Sequence, residues 1–287
     1  MACIALCEPT ELYNLLNRCS DYPNVSDPEY VLLLDARDSR AYDLDHVITA
    51  KHVKKSDDGF RLPVGINLET KLNCIVYDGK TSLLTESSPA VECAQLLSVN
   101  GVQDPVKVLR GGYEKFTALY PFLRTQKVSF TPRELDNFQV HPVEILPELV
   151  YLGTSKQAAN HTMMSKMKIG AFLSCLSSKE TKRSRHTEFF IEIEDSNDAD
   201  ISQYFEKASD FIDNHLQQGR RVLLCGDYGW SRSAAMLLAF LIRYKKWTFQ
   251  DAHSHVMNCT PYIKPNQGFI RQLSEWEKRC LEPETNP

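Results

Sequence analysis

Residues 223–233 constrain the fold of this chain more than any other segment does. A strand pattern, a glycine-containing loop and a helix pattern follow one another there. The apolar run 222–224 predicts a buried strand, and the apolar run 233–240 predicts a buried helix. Gly226 and Gly229 allow the backbone between them to approach a ligand closely. Such a loop turns its N–H groups inward beside a helix N-terminus, which is an arrangement that binds phosphate.

Arg232 follows this loop and has the planar donor group that matches two phosphate oxygens. Two interpretations stay open. In the first, Arg232 and the loop amides bind phosphate. In the second, Arg232 is an internal hydrogen-bond donor, the carboxylate of Asp227 lies beside the anion site, and Tyr228 and Trp230 obstruct it. The candidate phosphate-binding residues are Gly226, Asp227, Tyr228, Gly229, Trp230, Ser231 and Arg232.

The stretch Cys225-Gly226-Asp227-Tyr228-Gly229-Trp230-Ser231-Arg232-Ser233 resembles the HCxxGxSRS signature of the dual-specificity protein phosphatases. In that alignment Gly226 stands where the family has its nucleophilic cysteine, and Cys225 stands where it has a histidine. Loss of a nucleophile costs on the order of 10⁶ in rate in an unrelated hydrolase, so no turnover is expected. Cys225 is interpreted as a buried small side chain, with a displaced nucleophile as the alternative.

Two further segments are similar to the same family. Residues 144–153 resemble its opening strand, and residues 265–269 resemble the start of its closing helix. The resemblance also places Asp195 at the position of the general acid. Because no phosphoryl-enzyme is expected to form, Asp195 is interpreted as an ordinary loop carboxylate.

The first half alternates strand and helix patterns, which favours an α/β unit with parallel strands. Residues 34–37, 46–50 and 108–113 resemble rhodanese-like domains. Active members of that family have a cysteine after the strand that ends here at Tyr77, but this chain has Asp78. The carboxylate is expected to repel anionic substrates, and sulfurtransferase activity is not expected.

A rhodanese-like domain followed by a dual-specificity phosphatase domain is the arrangement of the MAP-kinase phosphatases. The resemblance therefore implies a kinase-docking region after residue 50, where Asp57 and Asp58 dilute the positive charge. The alternative is a solvated loop. The candidate docking residues are Lys51, Lys54, Lys55 and Arg61.

The predicted fold class is α/β with two domains. A rhodanese-like parallel sheet with flanking helices is expected over residues 1–126, and an inactive dual-specificity-phosphatase-like domain over 142–281. Residues 127–141 are predicted as a linker, and the tail 282–287 is predicted to be disordered. A length of 287 residues with 43% hydrophobic composition is sufficient for two cores.

The formal net charge of −4 gives no basic footprint for nucleic acid, and no run of 18 or more apolar residues is present to span a membrane. The nine cysteines include no CxxC pair, so reduced thiols are expected and neither a metal nor a cofactor is predicted. The N-terminus lacks the pattern of a secretory signal, which favours the cytoplasm and leaves other intracellular compartments open.

The sequence as a whole resembles a pseudophosphatase of the serine/threonine/tyrosine-interacting-like group. The predicted function is a noncatalytic regulator or scaffold in phosphorylation signalling. Its expected partners are proteins, including phosphoproteins, protein phosphatases or MAP kinases. A weakly active phosphatase that uses Cys225 is the alternative.

Overall fold

The computed structural model describes residues 4–56, 59–62, 65–102, 105–177 and 187–281. The chain divides into two compact units, Met1–Val140 and His141–Pro287. The predicted disordered tail, together with Asp57 and Asp58 of the predicted docking region, lies outside the described residues. The predicted domain limits and linker stay predictions.

The first unit contains nine strands and five α-helices in its described residues. The strands are β1 (Ile4–Cys7), β2 (Leu32–Asp35), β3 (His46–Val47), β4 (Lys51–His52), β5 (Lys54–Ser56), β6 (Gly59–Arg61), β7 (Cys74–Tyr77), β8 (Val106–Leu109) and β9 (Arg124–Thr125). The helices are α1 (Pro9–Leu16), α2 (Ser39–Leu44), α3 (Pro89–Val99), α4 (Gly112–Leu119) and α5 (Pro132–Asp136).

Five parallel strands form the sheet of this unit in the order β1-β8-β7-β2-β4. The four-residue strands β2 and β7 are buried along their whole length, as expected for a parallel sheet with both faces covered. Helix α3 starts with Pro89 after the N-cap Ser88, whose side chain accepts from Val91 N. Its apolar face packs on β7 and β8. Because β7 is a strand of a parallel sheet, the chain that follows it lies at the carboxyl edge of that sheet.

The second unit contains five strands and six α-helices in its described residues. The strands are β10 (Val143–Leu146), β11 (Val150–Thr154), β12 (Ile169–Leu176), β13 (Thr187–Glu192) and β14 (Arg221–Gly226). The helices are α6 (Ser155–Ala159), α7 (His161–Lys166), α8 (Phe205–Gln217), α9 (Arg232–Lys245), α10 (Phe249–Cys259) and α11 (Gln267–Leu281).

The sheet of this unit has the order β10-β11-β14-β12-β13, with β10 antiparallel to β11 and the other neighbours parallel. The segment 144–153, predicted as one strand, is therefore two strands, because a turn with Glu148 at φ 59° reverses the chain. Helix α9 is buried from Arg232 to Ile242 and packs against α8, α10 and α11. A helix that is apolar on all sides has to lie inside the core, as α9 does.

Candidate functional site

The loop between β14 and α9 lies at the carboxyl end of the central strand of the second sheet. Gly226 ends β14 beside Thr154 of β11 and Cys175 of β12. Arg232 begins α9, so five residues, 227–231, join the strand to the helix. Crevices at the carboxyl ends of parallel strands are where open α/β sheets bind ligands. A cavity of about 290 Å³ opens there.

Gly229 fixes the path of this loop. Its φ is +77°, and a Cβ at this position would lie 2.5 Å from the carbonyl oxygen of Gly153 on β11. Only glycine fits both the left-handed conformation and this close approach. Lys264 N donates to the carbonyl oxygen of Trp230 at 2.7 Å, which holds the other side of the loop. These two contacts attach the loop to β11 on one side and to Lys264 on the other.

Gly226 leaves a space in front of a buried hydroxyl. A Cβ at this position would lie 3.3 Å from Ser233 Oγ and 3.3 Å from the carbonyl oxygen of Cys175. Ser233 is buried, and its Oγ has no hydrogen-bond partner among the described residues. A buried polar atom without a partner is costly, so the hydroxyl indicates a site that a side chain at position 226 would complete.

The side chain of Arg232 is 7% exposed, and both of its Nη atoms already donate hydrogen bonds within the protein. Nη1 donates to Ser177 Oγ and to the carbonyl oxygen of Ile193, both at 2.9 Å. Nη2 donates to Asp227 Oδ2. The geometry therefore supports the second of the two interpretations, an internal donor with the Asp227 carboxylate beside it.

Tyr228 and Trp230 differ in how far their side chains are exposed. Tyr228 is 77% exposed and extends into solvent. The ring of Trp230 packs against that of Tyr262, with 5.6 Å between the ring centroids. Both residues border the cavity together with Lys264. Obstruction of the cavity by these two side chains stays a prediction.

Asp195 is part of this site. Its Oδ1 accepts from Ser231 Oγ at 2.7 Å and from Asn266 Nδ2 at 2.8 Å. Its Oδ2 lies 4.0 Å from Arg232 Nε. Residues distant in the sequence therefore hold Asp195 at the cavity, and its interpretation as a loop carboxylate without a catalytic role stays a prediction. Sequence reasoning did not identify Ser177, Asn266 or the hydroxyl of Ser233 as site residues, although Asn266 lies in the family-like segment 265–269 and Ser233 in the SRS motif.

Cys225 points away from the cavity. It is fully buried, and its Sγ lies 3.3 Å from Ser174 Oγ on the neighbouring strand. The adjacent Cys175 is also fully buried, and burial raises the pKa of its thiol well above the ordinary range. These sulfurs have the environment of structural cysteines rather than of reactive ones.

The corresponding loop of the first unit follows β7 and contains its own carboxylate. Asp78 Oδ1 accepts from Lys80 N at 3.1 Å and from Thr81 N at 2.9 Å. Oδ2 accepts from Thr81 Oγ1 at 2.6 Å and from Ala90 N at 3.2 Å. Burial raises the pKa of Asp78, but these hydrogen bonds outweigh it and hold the pKa below its ordinary value. The Asp78 carboxylate thus accepts hydrogen bonds from the N–H groups that an external anion would need.

Asp35 and Arg37 form an ion pair beside the same loop. Arg37 Nη2 lies 2.6 Å from Asp35 Oδ2, and Arg37 Nε donates to Asp35 Oδ1 at 3.0 Å. The guanidinium carbon lies 3.7 Å from the centroid of the Tyr113 ring, which is a cation–π contact. These contacts occupy Arg37 within the fold.

Two family models match the chain over the regions that carry these loops. The model described as "Dual specificity phosphatase, catalytic domain" matches residues 150–279. The model described as "Rhodanese-like domain" matches residues 9–119. The chain combines a rhodanese-like domain with a dual specificity phosphatase domain. The predicted two-domain α/β fold class is thereby confirmed.

Curated relatives are similar to this chain over more than two thirds of its length. Human dual specificity protein phosphatase 4 is 32% identical over 231 residues, which cover 72% of this chain and 58% of that protein. Human dual specificity protein phosphatase 5 is 29% identical over 227 residues, which cover 71% of this chain and 59% of that protein. The chain therefore spans about three fifths of the length of the curated relatives it matches.

Solved structures resemble the dual specificity phosphatase domain. The crystal structure of the human tyrosine phosphatase-like serine/threonine/tyrosine-interacting protein is 28% identical, with a TM-score of 0.47. The match covers 49% of this chain and 98% of that one. Human DUSP28 gives a TM-score of 0.47 at 21% identity, covering 50% of this chain and 96% of that one.

The candidate docking residues of the rhodanese-like domain lie on three short strands. Lys51 is on β4, Lys54 and Lys55 are on β5, and Arg61 pairs with Lys54 across the β5–β6 hairpin. Lys55 Nζ lies 2.6 Å from Glu92 Oε2 of α3. Lys51 and Lys54 instead border a cavity of about 450 Å³. The structure thus separates the predicted basic cluster into one paired lysine and two that line a cavity.

Across the described ranges, no three His, Cys, Asp or Glu side chains come close enough together to hold a metal ion. None of the helices in those ranges is long and apolar enough to cross a membrane. The absence of a metal and of a cofactor stays a prediction.

Replacement of Asp78 by Asn is expected to destabilise the rhodanese-like domain by about 1–3 kcal/mol near neutral pH, because it removes a charged acceptor from four donors. The pKa of Asp78 is lowered in the fold, so its contribution is present above the unfolded pKa and is lost as the pH falls through the folded one. The difference between wild type and Asp78→Asn should therefore shrink below about pH 4.

Hydrogen exchange at α3 in the full-length protein measures this local stability, with the exposed Asp43→Asn as the matched control. A difference that stays constant between pH 3 and pH 6 would contradict the role given to the Asp78 charge.

Proposed function

We propose that this protein is a noncatalytic regulator that binds proteins through the surfaces of its two phosphatase-related domains. The observation that carries the proposal is the absence of any side chain at Gly226, where the resemblance to the dual-specificity phosphatases places the nucleophile. Cysteine phosphatases need a thiolate at the centre of the loop for in-line attack on phosphorus. Neither glycine nor the neighbouring carboxylate of Asp227, which is bound to Arg232, supplies one.

The rest of the constellation supports binding rather than chemistry. Asp195 is oriented at the cavity, Arg232 is in place, and Gly229 keeps the loop in shape. In the first domain Asp78 stands where a sulfurtransferase needs a cysteine, and its carboxylate is saturated by N–H and O–H donors. Each loop thus keeps its framework without a cysteine at the position where the active families have their nucleophile.

The proposed partners are proteins of phosphorylation signalling, including phosphoproteins, protein phosphatases and MAP kinases, in the cytoplasm. The relatives named as dual specificity protein phosphatases support this class of partner. Lys51 and Lys54, which border a cavity next to Tyr42 and His52, are the residues proposed for contact with a kinase. Lys55 contributes less to such a contact because it is paired with Glu92.

The test is the hydrolysis of an aryl phosphate by the purified full-length protein, with human dual specificity protein phosphatase 4 as the reference enzyme. Release of phosphate is expected to be indistinguishable from the buffer blank. Asp195→Asn and Cys225→Ser distinguish true turnover from contamination. Hydrolysis by the wild type that either substitution abolishes would overturn the proposal.

The alternative function, a weak phosphatase that uses Cys225, requires that sulfur to reach a substrate. Its burial beside Ser174 argues against this. In native protein treated with iodoacetamide, Cys225 and Cys175 are expected to stay unlabelled while the partly exposed Cys259 reacts. Peptide mapping by mass spectrometry measures this. Faster labelling of Cys225 than of Cys259 would favour the alternative.

A further inference from the structure

Arg232 is held in place from outside its own loop. Its Nη1 donates to the carbonyl oxygen of Ile193 and to the hydroxyl of Ser177, both at 2.9 Å. With 7% of its side chain exposed, the guanidinium has little freedom to turn. The bond to the Ile193 carbonyl oxygen involves no residue of the loop and would persist whatever occupies the cavity.

Asp227, the partner of Nη2, has a different environment. It follows Gly226 directly and 40% of its side chain is exposed, compared with 7% for Arg232. Its Oδ2 accepts from Arg232 Nη2 and, at 3.5 Å, from Ser177 Oγ. Asp227 and Arg232 line the same cavity of about 290 Å³. Within this pair the carboxylate is therefore the member that can move into solvent.

The geometry points to Asp227 as a built-in competitor that closes an oxyanion site at Arg232. Its carboxylate occupies the donor that the oxygen of a phosphomonoester dianion would take, and its charge repels that dianion. The site therefore binds phosphate weakly while Asp227 is in place, and it opens when the carboxylate is displaced or neutralised. This inference deepens the proposed function, on which it rests, by stating what regulates binding at the loop.

The charges at the cavity support this assignment. Asp195 and Asp227 offset Arg232 and Lys264, so a bound dianion faces no net positive charge. Asp227→Ala frees the Nη2 donor and makes the site cationic at the same time, whereas Asp227→Asn makes the site cationic and weakens the bond to Nη2 by removing its charge. A gain of about tenfold or more in phosphate affinity is expected, since one charge-assisted hydrogen bond is regained.

The experiment is isothermal titration of the full-length protein with inorganic phosphate and, in a second arm, with a phosphotyrosine peptide. Wild type is compared with Asp227→Asn, which keeps an acceptor for Arg232, and with Asp227→Ala. Asp198→Asn is the matched control, because it removes an exposed carboxylate from the loop that carries Asp195. The double variant Asp227→Ala/Arg232→Met tests whether any gain depends on the guanidinium.

Both Asp227 variants are expected to bind phosphate about tenfold or more tightly than wild type, while Asp198→Asn behaves as wild type and the double variant does not bind. Phosphate should also raise the melting temperature of the Asp227 variants and not that of wild type. Binding to the peptide alone identifies a phosphoprotein as the ligand, and binding in both arms identifies any small phosphate.

Equal affinity of wild type and Asp227→Asn for phosphate would overturn the inference, and so would no binding by either folded variant. A failure here is distinguishable from a failure of the proposed function. Tight binding by Asp227→Asn together with hydrolysis by wild type keeps the closed site and rejects the noncatalytic role. If wild type does not hydrolyse phosphate and Asp227→Asn gains no phosphate affinity, the closed site is rejected and the noncatalytic role is kept.

Discussion

The double variant Gly226→Cys/Asp227→Ala is expected to hydrolyse an aryl phosphate at least about 10³ times faster than wild type, because loss of a nucleophile costs on the order of 10⁶. The space at position 226 admits a Cβ with shifts of a few tenths of an ångström, and the new side chain would meet the unpartnered Ser233 Oγ. Inward N–H groups and Arg232 would lower the pKa of the new thiol. Asp195, held by Ser231 and Asn266, lies at the cavity to protonate a leaving oxygen.

Single variants separate the two obstacles to hydrolysis, which are the missing nucleophile at position 226 and the Asp227 carboxylate bound to Arg232. Gly226→Cys alone should gain less, because the carboxylate of Asp227 still occupies Arg232 Nη2. Asp227→Ala alone should stay inactive, and Gly226→Ser/Asp227→Ala should too, because a hydroxyl lacks the acidity of the thiol. Steady-state phosphate release measures all four. A folded double variant that binds phosphate but shows no turnover would contradict the view that the framework lacks only its nucleophile.

Gly229→Ala is expected to destabilise the dual specificity phosphatase domain by about 3 kcal/mol or more, because backbone strain and a steric clash act together. The φ of +77° disfavours any residue with a Cβ, and that Cβ would lie 2.5 Å from the Gly153 carbonyl oxygen. The substitution should therefore move the loop away from β11 and displace Arg232 from its position at the cavity.

Gly219→Ala is the matched control for Gly229→Ala. Gly219 has a similar φ of +70°, and nothing lies within 4 Å of its hypothetical Cβ. This control should cost only about 1 kcal/mol, the strain of the left-handed conformation alone. Urea unfolding followed by tryptophan fluorescence compares them, since Trp230, Trp247 and Trp276 all lie in this domain. Equal losses from both substitutions would show that the close approach to Gly153 does not matter.

The sequence was sufficient to predict the strand, loop and helix around residue 226, because each element has a local signal. The apolar run before Gly226 lies on β14, the apolar run after Arg232 lies on the buried α9, and the glycines mark the turn. The Asp35–Arg37 pair was also predictable, since the two residues are two positions apart. Features that depend on hydrophobic periodicity, or on residues close together in the chain, can therefore be predicted from the sequence.

The partners of Asp195, Arg232 and Asp78 were not predictable in the same way. Asn266 reaches Asp195 from 71 residues away, and Ser177 reaches Arg232 from 55 residues away. Asp78 was interpreted as a charge that repels substrates, whereas it accepts the N–H groups of its own loop and of α3. The acceptor that binds the N–H donors of such a loop is determined by the directions of the side chains. Only the folded chain fixes these directions.

Intact-protein mass spectrometry after rapid mixing of full-length protein with excess aryl phosphate, followed by quenching in denaturant, tests most directly whether a covalent intermediate can form. A phosphoryl adduct is expected on Gly226→Cys/Asp227→Ala, located at position 226 by peptide mapping, and no adduct is expected on wild type. A phosphoryl adduct on any residue of the wild-type loop 225–233 would contradict the account of this protein as a noncatalytic binding protein.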